Sequence, residues 1–477
     1  MELNRNKRTN RTQLRSFSVS QTGWERAGGP VRVAVVGGGP AGTFFVWCLM
    51  KKATSRNLPV DVTIFEPKTF EQRGAYHCNY CQGVISAGLL RQMERIGLAI
   101  PPQVIQARIK SYSLVTLGGE LNLPAPPNQE IYTVFRGHGP VPEKEGAISF
   151  DQFLLDRAIA AGARKVGVLV RKVSIEPGAA SPVSLVDHLG KTWQADVLIG
   201  AFGVNSKLGE QFRLLGFGYR HPATSSALQA EYRILDGNLQ NHSADEIKIF
   251  ALGLYPIRFG VITPKRSHLT VSMIGEFLRY EHLERFMQHR LVRKHLPAGI
   301  DLASSRCSCA PQIPVSDGGE LAGPHCLIVG DAAVSRYYKN GIESALLSAE
   351  LAAEVLLEHG CGSKEILREH YTRKVKKIFK LDNQMGRLLY DLHDRIYRLP
   401  SLAYTLLAIA QGEFGLTGSS RRKLRWILWN MFTGDSSYRR IFFKCLDPLL
   451  LFRVLTLTLS TFAGRLLGRK FGNDDGR

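Results

Sequence analysis

The sequence predicts an α/β (mixed α+β) chain with three parts: a discontinuous Rossmann-type domain, an antiparallel-sheet second domain and a C-terminal helical region. Three observations predict it. A β-branched run ends in a glycine turn near residue 37, residues 222–280 alternate apolar and polar side chains, and from residue 381 the chain becomes helical, basic and aromatic. At 477 residues the chain is too long for one ordinary core, and domains of roughly 100–200 residues imply two to four units.

The run "VRVAVV" (31–36) is short and apolar enough for a buried parallel strand, and it leads straight into "GGGPAG", Gly37 to Gly42. Helical "TFFVWCLMKKA" follows, then a second strand, "VDVTIFEP", that ends at Glu66. Strand, glycines, helix, strand and acid in register are the fingerprint of a dinucleotide site. Gly37 allows the tight turn, Gly39 lets the backbone approach a pyrophosphate, and Gly42 lets the helix pack on the strand. Pro40 and Ala41 open the helix, whose N-terminus faces the phosphates. Glu66 sits where a carboxylate can accept hydrogen bonds from both ribose hydroxyls.

Residues 150–215 return to the same domain, with helical "FDQFLLDRAIAAGA" and strand-like "KVGVLVRKVSIEP", "VSLVDHLG" and "ADVLIGAFG". The alternation of "HLTVSMIGEF" places an antiparallel sheet in 216–300. A third apolar strand, "HCLIVGDAA" (325–333), precedes the strongly helical "GIESALLSAELAAEVLLEHG", so 301–360 belongs again to the first domain. The chain thus divides into a basic flexible tail (1–30), the first part of the dinucleotide domain (31–215), the sheet domain (216–300), the return (301–360) and a basic helical region (361–477).

The formal charge is +21. Residues 1–30 hold six Lys/Arg against two acids and residues 361–477 hold 22 against 10, so the middle is nearly neutral. Basic flanks of this kind fit an anionic surface, and both nucleic acid and the cytoplasmic leaflet of a membrane qualify. Eight cysteines are far too few for a disulfide scaffold, and with no apolar secretory segment at the start the expectation is a reducing compartment. The first 30 residues are compatible with an organellar transit peptide, although without an amphipathic period a disordered basic tail is the simpler reading.

Three motifs in order, "VAVVGGGPAG", "ADVLIGAFGVNSKL" and "CLIVGDAA…GIESAL", resemble the flavoprotein superfamily of para-hydroxybenzoate hydroxylase and geranylgeranyl reductase over roughly residues 31–360. The resemblance implies FAD as cofactor. It also implies that the Gly330–Asp331 turn sets Asp331 on the ribityl chain, and that Gly341 and Ile342 lie near the pyrimidine side of the isoalloxazine at a helix N-terminus. "VFRG…FDQFLLDRAI" makes Arg136 a candidate FAD contact. "CQGVIS" (81–86) and "FGVITPK" (259–265) are similar to two segments of the reductase branch. The sequence departs at two places: in "GAFGVNS" Phe202 stands where the hydroxylases carry an Asp, which argues against direct use of NAD(P)H, and Val261 stands where the reductase segment carries a Trp.

Cys78 and Cys81 form a C-x-x-C and Cys307 and Cys309 a C-x-C. Metal binding, a redox disulfide and inert burial are open to them. The resemblance adds a fourth reading, a flavin-facing thiol at Cys81, the candidate catalytic residue. In the tail, Leu449 to Gly464 is 16 residues with Arg453 inside it, short of the ~20 a span needs. It is expected to lie on the cytoplasmic face of a membrane. Trp426, Trp429, Phe442 and Phe443 would sit at the headgroups and Arg421, Arg422, Lys423, Arg439 and Arg440 would meet anionic lipid; the alternative is a helical cap on the core. No specific nucleic-acid motif accompanies the charge.

The expected function is that of an FAD-dependent oxidoreductase which, by the resemblance, reduces a carbon–carbon double bond in an isoprenoid or lipid-like substrate, with electrons from an external donor. The alternatives are a flavin monooxygenase and a non-catalytic membrane-binding module.

Overall fold

The computed structural model describes residues 29–70, 78, 82–137, 148–234, 244–297, 300, 307–413 and 418–466. Strand β1 (Val31–Val36), helix α1 (Pro40–Ser55) and strand β2 (Val60–Phe65) form the first unit, with β1 and β2 parallel from Val31 opposite Val60 to Val36 opposite Phe65. β1 is buried on both faces apart from Arg32, which pairs with Asp196, and the burial is why its other positions carry Val and Ala. α1 starts at Gly39 with Pro40 in its first turn, where a missing N–H costs nothing.

Among the elements that follow are a hairpin of β3 (Ser111–Thr116) and β4 (Gly119–Pro124), the short strand β5 (Tyr132–Val134), helix α2 (Phe150–Ala160), and strands β6 (Arg164–Val166) and β7 (Val197–Gly200). The large-sheet strands are β8 (Thr224–Arg233), β9 (Glu246–Ala251), β10 (Ile257–Pro264), β11 (His268–Gly275), β12 (Cys307–Cys309) and β13 (Gln312–Pro314). β14 (Ala322–Gly323) and β15 (Cys326–Ile328) lead to a 3-10 turn, Gly330–Ala332, and to helix α3 (Gly341–His359).

The first sheet has the order β14–β15–β7–β1–β2–β6, and β1 is parallel to both β2 and β7. α3 packs on α1 through Ala345, Ala349, Ala352 and Ala353, all buried. Small residues there let the two helix axes approach.

The second sheet has eight strands in the order β12–β8–β11–β10–β9–β3–β4, with β13 also on β8. The hairpin β3–β4 lies inside the segment assigned to the dinucleotide domain, yet it extends the sheet domain, because β3 pairs in parallel with β9. Leu114, Leu121 and Leu123 fill its core face.

The C-terminal region is helical: α4 (Arg373–Tyr397), α5 (Pro400–Gln411), α6 (Gly418–Thr433), α7 (Tyr438–Cys445) and α8 (Pro448–Leu466). One hydrophobic cluster joins the face of the large sheet (Leu114, Ile249, Phe259, Val261) to these helices (Tyr390, Leu407, Leu428, Trp429, Ile441). These helices therefore cap the sheet. Trp429 is 4% exposed, donates to Gln129 Oε1 at 2.7 Å and meets Tyr112 edge-on. Trp429 is thus a core residue and not a headgroup anchor, Trp426 is partly covered beneath Lys444, and Phe443 alone of the four aromatics is well exposed.

Candidate functional site

The glycine turn is shaped by contacts that exclude side chains. Gly37 has φ +111°, and a Cβ on it would lie 2.3 Å from the carbonyl oxygen of Ala201; a Cβ on Gly42 would lie 2.0 Å from that of Gly37. Helix α1 begins at Gly39 with no side-chain cap and no acid in its first turn. Its first N–H groups are thus left for an anion, and the helix dipole favours one.

Glu66 is buried and its carboxylate is fixed by two main-chain donors, Gly38 N to Oε2 at 2.8 Å and Lys68 N to Oε1 at 2.9 Å. Gly38, the middle glycine, is a site residue that the spacing alone did not single out; a Cβ there would lie 2.8 Å from Glu66 Cβ. The four lone-pair positions of a carboxylate leave room for two ribose hydroxyls beyond these donors.

Gly330 brings the second motif against the first. It has φ +68°, and a Cβ on it would lie 2.4 Å from Ala41 Cβ. Its N–H donates to Ser348 Oγ at 3.0 Å. Asp331 follows, with Oδ1 shielded from solvent and without a hydrogen-bond partner among the described residues. Burial pushes its carboxyl above the ordinary range, against the pull of Ser335 and Arg136. A Cβ on Gly341 would lie 3.5 Å from Asp331 Oδ1, so this acid faces the N-terminus of α3, which also lacks a side-chain cap. Ile342 is buried in that first turn.

Arg136 is buried and bound to Asp151, with Nε to Oδ1 at 2.5 Å and Nη2 to Oδ2 at 3.1 Å. It lies close enough to lower the Asp331 carboxyl, but its guanidinium is engaged by α2. The predicted set Gly37, Gly39, Pro40, Ala41, Gly42, Glu66, Gly330, Asp331, Gly341 and Ile342 thus lies along one edge of the parallel sheet, where dinucleotides bind in such folds. Cys81 lies outside the described residues. Cys78 and Cys307 are neighbours: burial, Cys78 and Glu231 push the Cys307 thiol up to about 11. No disulfide links the described cysteines, and no cluster of three or more metal-ligating side chains is found among the described residues.

The site fits FAD. Two uncapped helix N-termini suit a pyrophosphate and an electron-rich ring edge, Glu66 suits a ribose, and the orphaned oxygen of Asp331 suits the hydroxyls of a ribityl chain. Fold and site define an FAD-dependent oxidoreductase.

The comparisons agree. A family described as FAD-NAD(P)-binding matches residues 34–85. Geranylgeranyl diphosphate reductase of Synechocystis is 24% identical over 386 residues, covering 77% of this chain and 85% of that one; the chloroplastic enzyme of rice is 23% identical over 369 residues, covering 73% and 71%. Among solved structures, a flavoprotein/dehydrogenase of Cytophaga hutchinsonii superposes with TM-score 0.63 at 12% identity, covering 90% of this chain and 99% of that one. The chain is thus similar, at low identity, to geranylgeranyl diphosphate reductases, and it shares the fold of FAD-dependent flavoproteins.

Proposed function

We propose that the protein reduces a carbon–carbon double bond in an isoprenoid or lipid-like substrate at a membrane surface. The observation that carries this reading is the similarity to geranylgeranyl diphosphate reductases over most of both chains; beside it, the junction between the large sheet and the turn after Asp331 is packed with aromatic side chains. Phe259 and Tyr390 stack at 5.9 Å, Tyr338 meets Tyr390 edge-on at 5.2 Å, and Tyr337 packs against Tyr338 at 4.2 Å. Val261 and Ile274 continue the apolar surface. These side chains are packed in the cluster that joins the sheet to the C-terminal helices, so they shape the apolar surroundings of the turn, while the substrate class comes from the relatives' descriptions.

Bound FAD, once reduced by an external donor, supplies a hydride for one alkene carbon. The chain's task is to hold the alkene against the ring, exclude water and deliver a proton to the other carbon. Cys81, by its place in the sequence, or an ordered water is the proposed proton donor. Phe202 packs on Phe212 at 4.5 Å and edge-on to Tyr219, an aromatic filling where the related pattern has an acid, which speaks against NAD(P)H as direct donor.

The membrane part of the proposal rests on α8. Leu451, Phe452, Leu455, Leu459 and Phe462 share one face and are each half exposed or more, whereas Leu450 and Thr461 on the opposite face are buried. Arg439 and Arg440 are exposed on the adjoining α7. No helix among the described residues is long and apolar enough to cross a bilayer, and an apolar face beside cations suits lying in the cytoplasmic headgroup region.

Lipid profiles of cells lacking the protein test the reaction. Accumulation of a prenyl lipid two hydrogens lighter than the normal species supports it. Loss of a species one oxygen heavier, with no change in unsaturation, supports a monooxygenase in its place.

A further inference from the structure

Lys339 stands in the turn between Asp331 and α3, two residues before Gly341. Tyr338 and Asn340, on either side of it, both have left-handed backbone, φ 58° and 52°. Side-chain-bearing residues hold that conformation only where their surroundings enforce it. Here α4 and the segment 434–438 enforce it. Asn383 grips Ser335 O and Tyr337 N, Tyr438 Oη donates to Tyr337 O, Arg336 donates to the carbonyls of Gly434 and Ser436, and Asn340 Nδ2 donates to Gly434 O. The turn is rigid, and so is the direction in which Lys339 leaves it.

The side chain crosses toward the large sheet, where Nζ lies 5.8 Å from the ring centroid of Phe259. Among the described residues no carboxylate or hydrogen-bond acceptor meets this ammonium; the charged neighbour is Arg336, which repels it. Burial and Arg336 push the amine down to about 8, which leaves it the cation at neutral pH. Lys339 is partly buried, and a cation drawn even partly from water is ordinarily offset by a partner of opposite charge. This one reaches from the turn before α3 toward Phe259 of the sheet with no partner of opposite charge among the described residues.

Gly341 opens α3 beside Asp331, so a dinucleotide running from the Gly37 turn past Asp331 would reach the N-terminus of α3, two residues from Lys339. We propose that Lys339 is the electrostatic partner of the reduced flavin: its ammonium, added to the N-terminus of α3, balances the negative charge the ring system gains on two-electron reduction. The inference rests on the FAD assignment and not on the identity of the substrate. A fixed cation near that charge favours the reduced over the oxidised cofactor, and so sets which external donors can reduce it.

The test uses the full chain with bound FAD. The midpoint potential is measured by equilibration with reference dyes, and the affinity for sulfite is titrated, since sulfite adding to N5 of the oxidised ring leaves the same negative charge on the pyrimidine side. Lys339→Met is expected to weaken the preference for reduced cofactor about tenfold, a fall of about 30 mV for a two-electron couple, and to weaken sulfite binding by a similar factor. Lys339→Arg is expected to keep both near the parent values. Unchanged potential and sulfite affinity in Lys339→Met, or an equal fall in Lys339→Arg, overturns the proposal. If Met empties the site, Lys339→Gln serves for the same comparison; a parent protein without flavin would refute the cofactor assignment instead.

Discussion

Asn383 holds Tyr337 by two points of one loop: its Oδ1 accepts from Tyr337 N at 3.0 Å while its Nδ2 donates to Ser335 O at 2.9 Å. A side chain on α4 thereby fixes the turn that follows Asp331, and the C-terminal helices support the candidate cofactor site. Asn383→Leu removes both bonds and leaves a main-chain donor and acceptor unmet, a loss of about 1–3 kcal/mol. Thermal unfolding should show the drop, and saturating FAD should recover part of it, because ligand binding to the folded state stabilises it. A Leu variant as stable as the parent, with full flavin content, would disprove the clamp.

The glycine turn yields a sharper prediction. Gly37→Ala places a methyl group 2.3 Å from Ala201 O at a φ of +111°, strain of roughly 1–3 kcal/mol in the folded chain that is relieved by moving the turn, so both stability and flavin content should fall. Gly39→Val should abolish binding, since its side chain would occupy the space of the pyrophosphate. Flavin absorbance of the purified variants reads both.

Asp331 ties stability to pH. Its carboxyl is raised by burial, so the folded apoprotein holds this proton more tightly than the unfolded chain does. That contribution is fully present below the unfolded carboxyl pKa, near 3.9, and is lost as pH rises through the raised folded value. Asp331→Asn should therefore stabilise the apoprotein at neutral pH by about 1–3 kcal/mol, while weakening FAD binding. Denaturant midpoints with and without FAD at pH 7 distinguish this from a purely structural role, in which Asn would cost stability in both states.

For the membrane, Phe452→Ser combined with Leu459→Ser should reduce flotation with anionic liposomes. The remaining electrostatic part, about 1 kcal/mol per basic residue near the surface, should then fall with added salt. Trp429→Ala should instead lower stability by about 3–5 kcal/mol, since Trp429 is a core side chain. Undiminished flotation of the double variant would refute the α8 face as the contact.

The strand–turn–helix–strand unit and the "GDAA" turn were legible because each is written locally, by β-branched runs, glycines and an acid at fixed offsets. The part Gly38 plays was not, since it acts through its main-chain N–H, which no residue pattern encodes. The hairpin β3–β4 was missed for a different reason: its pairing partner β9 begins at Glu246, far along the chain, and local alternation does not name a distant neighbour. Trp429 looked like a surface anchor beside its basic neighbours, yet the orientation of α6 is set by Tyr112 and Gln129 beneath it. Lys339 drew no notice because its interest lies in the absence of a nearby acid, a property of the folded chain alone.

The most direct test is an anaerobic single turnover. The FAD-loaded protein is reduced chemically, mixed with a polyprenyl diphosphate and then analysed by absorbance and mass spectrometry. The account predicts that the flavin reoxidises without oxygen and that one equivalent of product appears, two hydrogens heavier than the substrate. A flavin that stays reduced until oxygen is admitted, and then yields a product one oxygen heavier, would contradict it.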